Sequence, residues 1–280
     1  MTAWTTLVAP DALAARLGDP ALRVFDCRFS LADVGAGEQA WRAGHVPGAY
    51  YAHLDHALSG PHAPGAGRHP WPDAAAFARW AGAQGIGPGM QVVAYDAGDG
   101  AFAARLWALL RMAGHHDVAV LDGGFAAWCE AGLPVDTTLP ASPTPAVFPL
   151  DASAARVRDA AAVQAHLAAG GVLLDARAPE RFRGEVEPID RVAGHVPGAI
   201  NLPYALNLRD GRFKPAEDLA AQFAALASSP DAVVVMCGSG VTACHHLLAM
   251  AHAGMPGAAL YTGSWSGWIE DPARPVATGA

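Results

Sequence analysis

Val233-Val234-Val235-Met236-Cys237-Gly238-Ser239-Gly240-Val241-Thr242-Ala243-Cys244-His245-His246-Leu247-Leu248-Ala249-Met250 is the stretch from which the fold is read. Its first four residues are apolar and three are β-branched, which predicts a parallel strand buried on both faces and ending at Met236. Cys237 follows where that strand stops. Gly238-Ser239-Gly240 makes a loop almost without side chains, and Thr242 is the expected N-cap of a helix from Ala243 to Ala253. A thiol at the carboxyl end of a parallel strand, ahead of glycines and a helix start, stands where open α/β sheets place their reactive groups. Glycines let successive N–H groups converge, and the first helical turn adds unpaired N–H groups and its positive dipole end. Such a cradle favours thiolate over thiol, so Cys237 is the candidate nucleophile and Gly238, Gly240, Val241 and Thr242 the candidate anion cradle.

Moving outward, the chain alternates strands and helices, which predicts parallel sheets with helices on both faces. Strands are expected at Leu22 to Cys27, Gln91 to Tyr95, Val118 to Leu121 and Val172 to Leu174. Helices are expected at Pro10 to Gly18, Gly37 to Gly44, Asp73 to Ala83, Ala101 to Ala113 and Phe125 to Ala131. The order occurs twice. Gly44-His45-Val46-Pro47-Gly48-Ala49 returns as Gly194-His195-Val196-Pro197-Gly198-Ala199, and Asp26-Cys27-Arg28 as Asp175-Ala176-Arg177. Val92-Val93-Ala94-Tyr95-Asp96 returns as the cysteine strand with Cys237 in place of Asp96, and Gly123-Gly124-Phe125 through Trp128 as Gly263-Ser264-Trp265 through Trp268. Four landmarks in one order mark a duplicated domain. Five prolines between Leu133 and Ser153 suit an extended connection. The expected division is an N-terminal domain at 1–139 without a nucleophile, a linker at 140–153, and a catalytic C-terminal domain at 154–280.

Composition removes several classes of function. The chain has 280 residues, 52% of them apolar and 16% charged, with a formal net charge of −8, so it can bury an ample core but offers no basic surface to nucleic acid or an anionic membrane. Residues 1 to 6 lack the charged and apolar segments of a secretory signal, and the most apolar helix carries Arg105 and Arg111, so a cytoplasmic protein is expected. Four cysteines without a paired spacing read as reduced thiols, with Cys27 and Cys129 in the core and Cys244 in the helix after the loop. Adjacent histidines on a helix and the pair His53 and His56 form no known metal spacing, so solvated histidines are expected and no metal. A cysteine phosphatase uses a similar loop that ends in arginine, but Ala243 stands at that position and the next arginine is Arg274.

With these motifs in place the chain resembles the tandem-domain rhodanese superfamily, and within it the mercaptopyruvate sulfurtransferases. The resemblance rests on the loop Cys237 to Thr242, Asp175-Ala176-Arg177, Arg181-Phe182-Arg183-Gly184, both Gly-His-Val-Pro-Gly-Ala turns and Gly263-Ser264-Trp265. It implies two rhodanese-like α/β domains and two-step sulfur transfer through a persulfide on Cys237, from a small anionic donor to cyanide, a small thiol or a thioredoxin-like protein, with no cofactor. Mercaptopyruvate is the expected donor and thiosulfate the alternative; a non-catalytic binding module, the fate of such domains that lose the cysteine, is the third reading. Arg181, and secondarily Arg177, are expected to hold the donor's oxyanion, since guanidinium matches it bidentately; Arg177, next to Asp175, also reads as an ion pair. A relay of Ser239, His45 and an acidic residue is implied for the donor's proton. His45 has a twin in His195, so pinning a turn is its other reading, and Asp33 is the nearest acid upstream. The family often has an arginine just after a Glu-Pro pair; here Glu187-Pro188 is followed by Ile189 and Asp190, with Arg191 displaced. Thr262 and Gly267 stand where the family often has acids, a change expected to act on helix packing or partner docking.

Overall fold

The computed structural model describes residues 3–280, and the chain divides into two compact units. The first holds the chain up to Ser59, Pro72–Ala155 and Asp210–Phe213; the second holds Gly60–Trp71, Arg156–Arg209 and Lys214–Ala280.

In the first unit the strands are β1 (Leu7–Val8), β2 (Leu22–Asp26), β3 (Tyr50–Tyr51), β4 (Gln91–Tyr95) and β5 (Val118–Leu121). They form one sheet of order β1-β5-β4-β2-β3 in which every pairing is parallel. In the second unit β6 (Val157–Arg158), β7 (Val172–Asp175), β8 (Ile200–Asn201), β9 (Val233–Met236) and β10 (Ala259–Tyr261) repeat that order as β6-β10-β9-β7-β8, again all parallel. The α/β class and the duplication read from the sequence are both present. The two-residue strands at the sheet edges escape the sequence reading because two residues carry no period.

The cysteine strand β9 is the middle strand of its sheet, with Met236 opposite Asp175 of β7 and Val234 opposite Ala259 of β10. All four of its residues are buried, which is why it reads as an unbroken apolar run. Its chain neighbours lie on opposite sides of it: the sheet reverses direction between β7 and β9, the place where open α/β sheets leave a crevice beyond their strand ends. The helix that follows, Ala243–His252, buries every residue from Ala243 to Met250. Under the sheet, Leu173, Val234, Met236, Tyr261, Trp265 and Trp268 form the core of this unit.

Three expectations need correction. Thr242 makes no side-chain cap bond, because the backbone is already helical there and Cys244 N–H bonds to the Val241 carbonyl. Cys129 is exposed and not part of the core. His245 and His246 are fully buried instead of solvated. Asn207 Nδ2 meets both of their Nδ1 atoms, at 3.0 and 2.9 Å, and His246 Nε2 donates to the Leu202 carbonyl at 2.7 Å. Burial lowers His246 to about 4, so it is neutral, the state in which its Nδ1 accepts from Asn207.

Candidate active site

Cys237 leaves the end of β9 with 2% of its surface exposed. Its Sγ accepts the N–H of Gly240 at 3.2 Å, so the glycine loop does turn a backbone donor toward sulfur. Gly240 has φ +77°, and a Cβ there would lie 2.7 Å from the Thr262 carbonyl oxygen; no other residue fits that position without strain. The loop is held from below by the helix Ser264–Trp268: Trp265 N–H bonds the Cys237 carbonyl at 3.0 Å and Ser266 N–H the Gly238 carbonyl at 2.8 Å. Ser264 is buried in the left-handed region at φ 51°, and its Oγ accepts the Cys237 N–H at 3.1 Å while donating to the Tyr261 carbonyl at 3.0 Å. A non-glycine residue at positive φ is costly, and here it sets the backbone of the cysteine. Cys244, one helical turn beyond Gly240, is buried with its thiol on the Gly240 carbonyl at 3.3 Å.

Ser239 is 5% exposed, and its Oγ lies 2.7 Å from Nδ1 of His69. His69 is the histidine the sequence reading missed. It stands in Gly60–Trp71, a stretch that precedes the repeat landmark Gln91–Tyr95 in the chain yet packs as part of the second unit. Glycines allow that packing. A Cβ on Gly267 or on Gly263 would lie 2.5 Å from the Gly65 carbonyl oxygen, and one on Gly67 would lie 2.4 Å from the Gly263 carbonyl oxygen. Gly65 N–H bonds Glu270 Oε2 at 2.5 Å and Arg68 N–H bonds Ser266 Oγ at 3.0 Å, completing the clasp. The absence of an acid at Gly267 is thus a packing feature: backbone passes where a side chain would stand.

His45 lies elsewhere. It is fully buried in the first unit, its Nδ1 on the Trp41 carbonyl at 2.7 Å, its ring on Trp41, and its backbone bridged to Asp136. His195 repeats this in the second unit, with Nδ1 on the Phe182 carbonyl at 2.8 Å, its ring stacked on Phe182, and its backbone bridged to Ala277. Both histidines pin a turn, and it is His69 that meets Ser239. Asp33 is exposed and caps Gly35 N–H at 3.0 Å.

The arginines separate in the same way. Arg177 clasps Asp175 through Nε and Nη2 at 2.7 to 3.1 Å, bonds the Gly194 carbonyl at 2.8 Å and lies over Trp265. Arg28 does the same with Asp26, the Gly44 carbonyl and Phe125 in the unit without a cysteine. An arrangement present in both copies serves the fold. Arg181 has no such twin. Its Nε and Nη2 hold Glu187 at 3.2 and 2.7 Å, and Nη2 also reaches Asp190 at 3.2 Å. Burial opposes ionisation of Glu187, but the Arg181 guanidinium and the N–H groups of Asp190 and Ile189 outweigh it and hold that carboxyl below the usual range. Arg181 Nη1, which takes no part in those bonds, lies 3.5 Å from where a Cβ on Gly238 would be. The displaced Arg191 bonds the Ile269 carbonyl.

In the first unit Asp96 stands at the end of β4 as Cys237 does at the end of β9. Its carboxylate accepts the N–H groups of Gly98, Gly100, Phe102 and Ala103 at 2.9 to 3.1 Å, so this loop closes on its own anion. Among the described residues, only the second unit places a thiol, a hydroxyl with a histidine, and a guanidinium nitrogen outside its ion pairs around one glycine loop.

Comparison with known proteins agrees with this geometry. The rhodanese-like domain family matches residues 9–131 and again 159–271. A probable 3-mercaptopyruvate sulfurtransferase of Pseudomonas aeruginosa is 51% identical over 98% of each chain. A putative thiosulfate sulfurtransferase, SseB, of Mycobacterium tuberculosis is 42% identical, covering 94% of this chain and 92% of its own. The crystal structure of SseA from Escherichia coli, a 3-mercaptopyruvate sulfotransferase of the rhodanese fold, superposes with a TM-score of 0.78 over 94% of this chain and all of its own, at 32% identity. Two matched segments, two identical sheet orders and relatives along the whole length place this chain in the rhodanese family, as a tandem of two rhodanese-like domains.

Proposed function

We propose that this chain is a sulfurtransferase that takes sulfur from 3-mercaptopyruvate onto Cys237 and passes it to a thiol, to cyanide or to a thioredoxin-like protein. The observation that carries this reading is the Ser239–His69 hydrogen bond beside the Cys237 loop. In the first step the Cys237 thiolate attacks the donor's sulfur and an S–S bond forms. The C–S bond breaks, and its electron pair leaves on the ketone as an enolate, which becomes pyruvate when carbon takes a proton. Ser239, in contact with His69, is the group that delivers or relays that proton. In the second step an acceptor thiolate or cyanide attacks the outer sulfur and Cys237 leaves as thiolate. The persulfide is anionic, and the Gly240 N–H that meets Sγ is suited to hold it.

Thiosulfate is the second reading, favoured by the relative named for it. There sulfite leaves with the S–S electron pair and no carbon needs a proton, so the serine and histidine have no acid–base task. Cys237, Ser239 and Arg181 are thus the proposed site residues, and His69 takes the place expected of His45. Four free cysteines support a reducing compartment such as the cytoplasm, and among the described residues no helix is long and apolar enough to cross a membrane.

The test is a steady-state comparison of both donors with cyanide as acceptor. Wild type should show the higher kcat/KM with mercaptopyruvate, and Cys237→Ser should show none with either donor. A higher kcat/KM with thiosulfate would replace the first reading by the second, and undiminished transfer by Cys237→Ser would overturn both.

A further inference from the structure

Ser266 is bonded to both of the segments that meet at the Ser239–His69 hydrogen bond. Its N–H donates to the carbonyl of Gly238, the residue before Ser239, at 2.8 Å, and its Oγ accepts the N–H of Arg68, the residue before His69, at 3.0 Å. With Ser239 Oγ 2.7 Å from His69 Nδ1, these contacts close a ring through Gly238, Ser239, His69, Arg68 and Ser266. The Ser266 hydroxyl proton has its own acceptor, the Gly263 carbonyl at 3.5 Å, which leaves the oxygen's lone pairs to Arg68. Gly67 makes the room: at φ +76°, a Cβ there would stand 2.8 Å from Ser266 Oγ.

The other copy shows which of these bonds belongs to the common frame. Ala126 stands where Ser266 does, each two residues before a tryptophan, Trp128 and Trp268. The Ala126 N–H donates to the Ala97 carbonyl at 3.0 Å, one residue ahead of Gly98, whose place in the strand-end loop is that of Ser239. The main-chain bond thus recurs without a hydroxyl, and the helix that carries it, Gly124–Glu130, forms around an alanine. The N–H of Ser266 serves the fold, as that of Ala126 does. Its Oγ is an addition of the copy that has the thiol, and what it holds is the residue next to His69.

We propose that Ser266 is a positioning residue for the proton relay: by holding the Arg68 N–H, its Oγ keeps His69 at hydrogen-bond reach of Ser239 and so sets which donor is used. The need for such a pin is local. Residues 60–71 form neither helix nor strand, so no backbone ladder fixes the height of His69 over the loop. Ser239, by contrast, stays in place through the main-chain bond from Ser266 to Gly238 even when the hydroxyl is removed. A relay transfers a proton only within hydrogen-bond reach. Loss of the hydroxyl therefore burdens mercaptopyruvate, whose carbon needs a proton, and spares thiosulfate, which needs none. The assignment rests on the reading of Ser239 and His69 as that relay.

The experiment compares wild type, Ser266→Ala and Ser266→Thr. Alanine fits the matching helix at Ala126 and keeps the main-chain bond, so Ser266→Ala should fold. Two things are measured: kcat and KM with mercaptopyruvate and with thiosulfate, and the imidazole nitrogen resonances of His69 by NMR, identified by their loss in His69→Gln. Ser266→Ala should lower kcat for mercaptopyruvate by about 10-fold, the worth of one hydrogen bond, with KM nearly unchanged. It should change thiosulfate turnover far less and should shift the His69 resonances. Ser266→Thr, which keeps the hydroxyl, should restore both. An unchanged mercaptopyruvate kcat or unshifted resonances overturn the assignment, as does an equal loss with both donors, which would make the hydroxyl a support of the whole loop. If His69→Gln leaves mercaptopyruvate turnover intact, it is the relay reading that falls; the resonances of Ser266→Ala and Ser266→Thr then decide by themselves whether Ser266 holds His69.

Discussion

Ser239 and His69 are the residues on which the chemistry divides. If Ser239 supplies the proton that the enolate needs, both groups act in one step and as one unit. Ser239→Ala and His69→Gln should each lower kcat for mercaptopyruvate by about 10²-fold or more, and the double variant should be little worse than either. Thiosulfate turnover should fall far less, because sulfite leaves without protonation at carbon. Equal losses with both donors would show that the pair shapes the loop and moves no proton. Much of the proposed site is legible in sequence: Cys237, its glycines and Ser239 lie within one strand–loop–helix motif, and Arg181 in a segment that carries the family resemblance. His69 is not, since it sits among Gly and Pro residues with no periodicity and reaches Ser239 only because Gly65 can pass close to Gly263 and Gly267. The motif histidine, His45, was the more conspicuous residue and is a turn pin. The signal that separates them is repetition: His45 and Arg177 have twins doing the same structural work in the other copy, whereas among the described residues the Ser239–His69 contact and the Arg181 clasp on Glu187 have none.

At the scale of elements, both copies contain the same device, a strand that ends in a reactive or charged residue followed by a loop and a helix. In one copy the loop turns to a thiol, in the other to a carboxylate. The Asp96 loop is one residue longer before its left-handed glycine, Gly100 at φ +77°, and it spends its N–H groups on the aspartate. Burial, with the Asp99 carboxylate, raises Asp96 to about 6, while the N–H groups of Ala103, Gly100 and Phe102 pull the other way. A raised value in the fold means that the folded chain holds the proton more tightly than the unfolded one. Its contribution to stability is complete below about pH 4, the unfolded value, and is lost as pH rises through about 6. Urea unfolding at about pH 4 and about pH 7 should therefore show a larger fall in stability for wild type than for Asp96→Asn. Equal falls would mean that Asp96 does not titrate in this range. Strand β4 and its aspartate were plain in the sequence, but that the aspartate closes its own cradle was not, because the bonds depend on where the backbone of Gly98 to Ala103 turns.

Across the whole chain, duplication is the organising fact. Two sheets share one strand order, and the fold-holding pairs Asp26–Arg28 and Asp175–Arg177, the two turn histidines, and the tryptophans Trp128 and Trp268 on their proline carbonyls recur in both. Against that common frame, the differences between copies are those the proposed chemistry uses: a thiol for a carboxylate, a serine for Gly98, and Arg181, whose Nη1 takes no part in its bonds to Glu187 and Asp190. The sequence made the duplication legible at four landmarks, while the membership of Gly60–Trp71 in the second unit could be seen only in three dimensions, since its place in the chain assigns it to the first copy. The central claim is that sulfur is carried on one thiol out of four. It is tested most directly by exposing the protein to mercaptopyruvate without an acceptor and locating the added sulfur by mass spectrometry with fragmentation of the cysteine peptides. One sulfur atom on Cys237, removed again by cyanide, and none on Cys27, Cys129 or Cys244, is the result predicted. Sulfur on another cysteine, or none on Cys237 while pyruvate is formed, would contradict it.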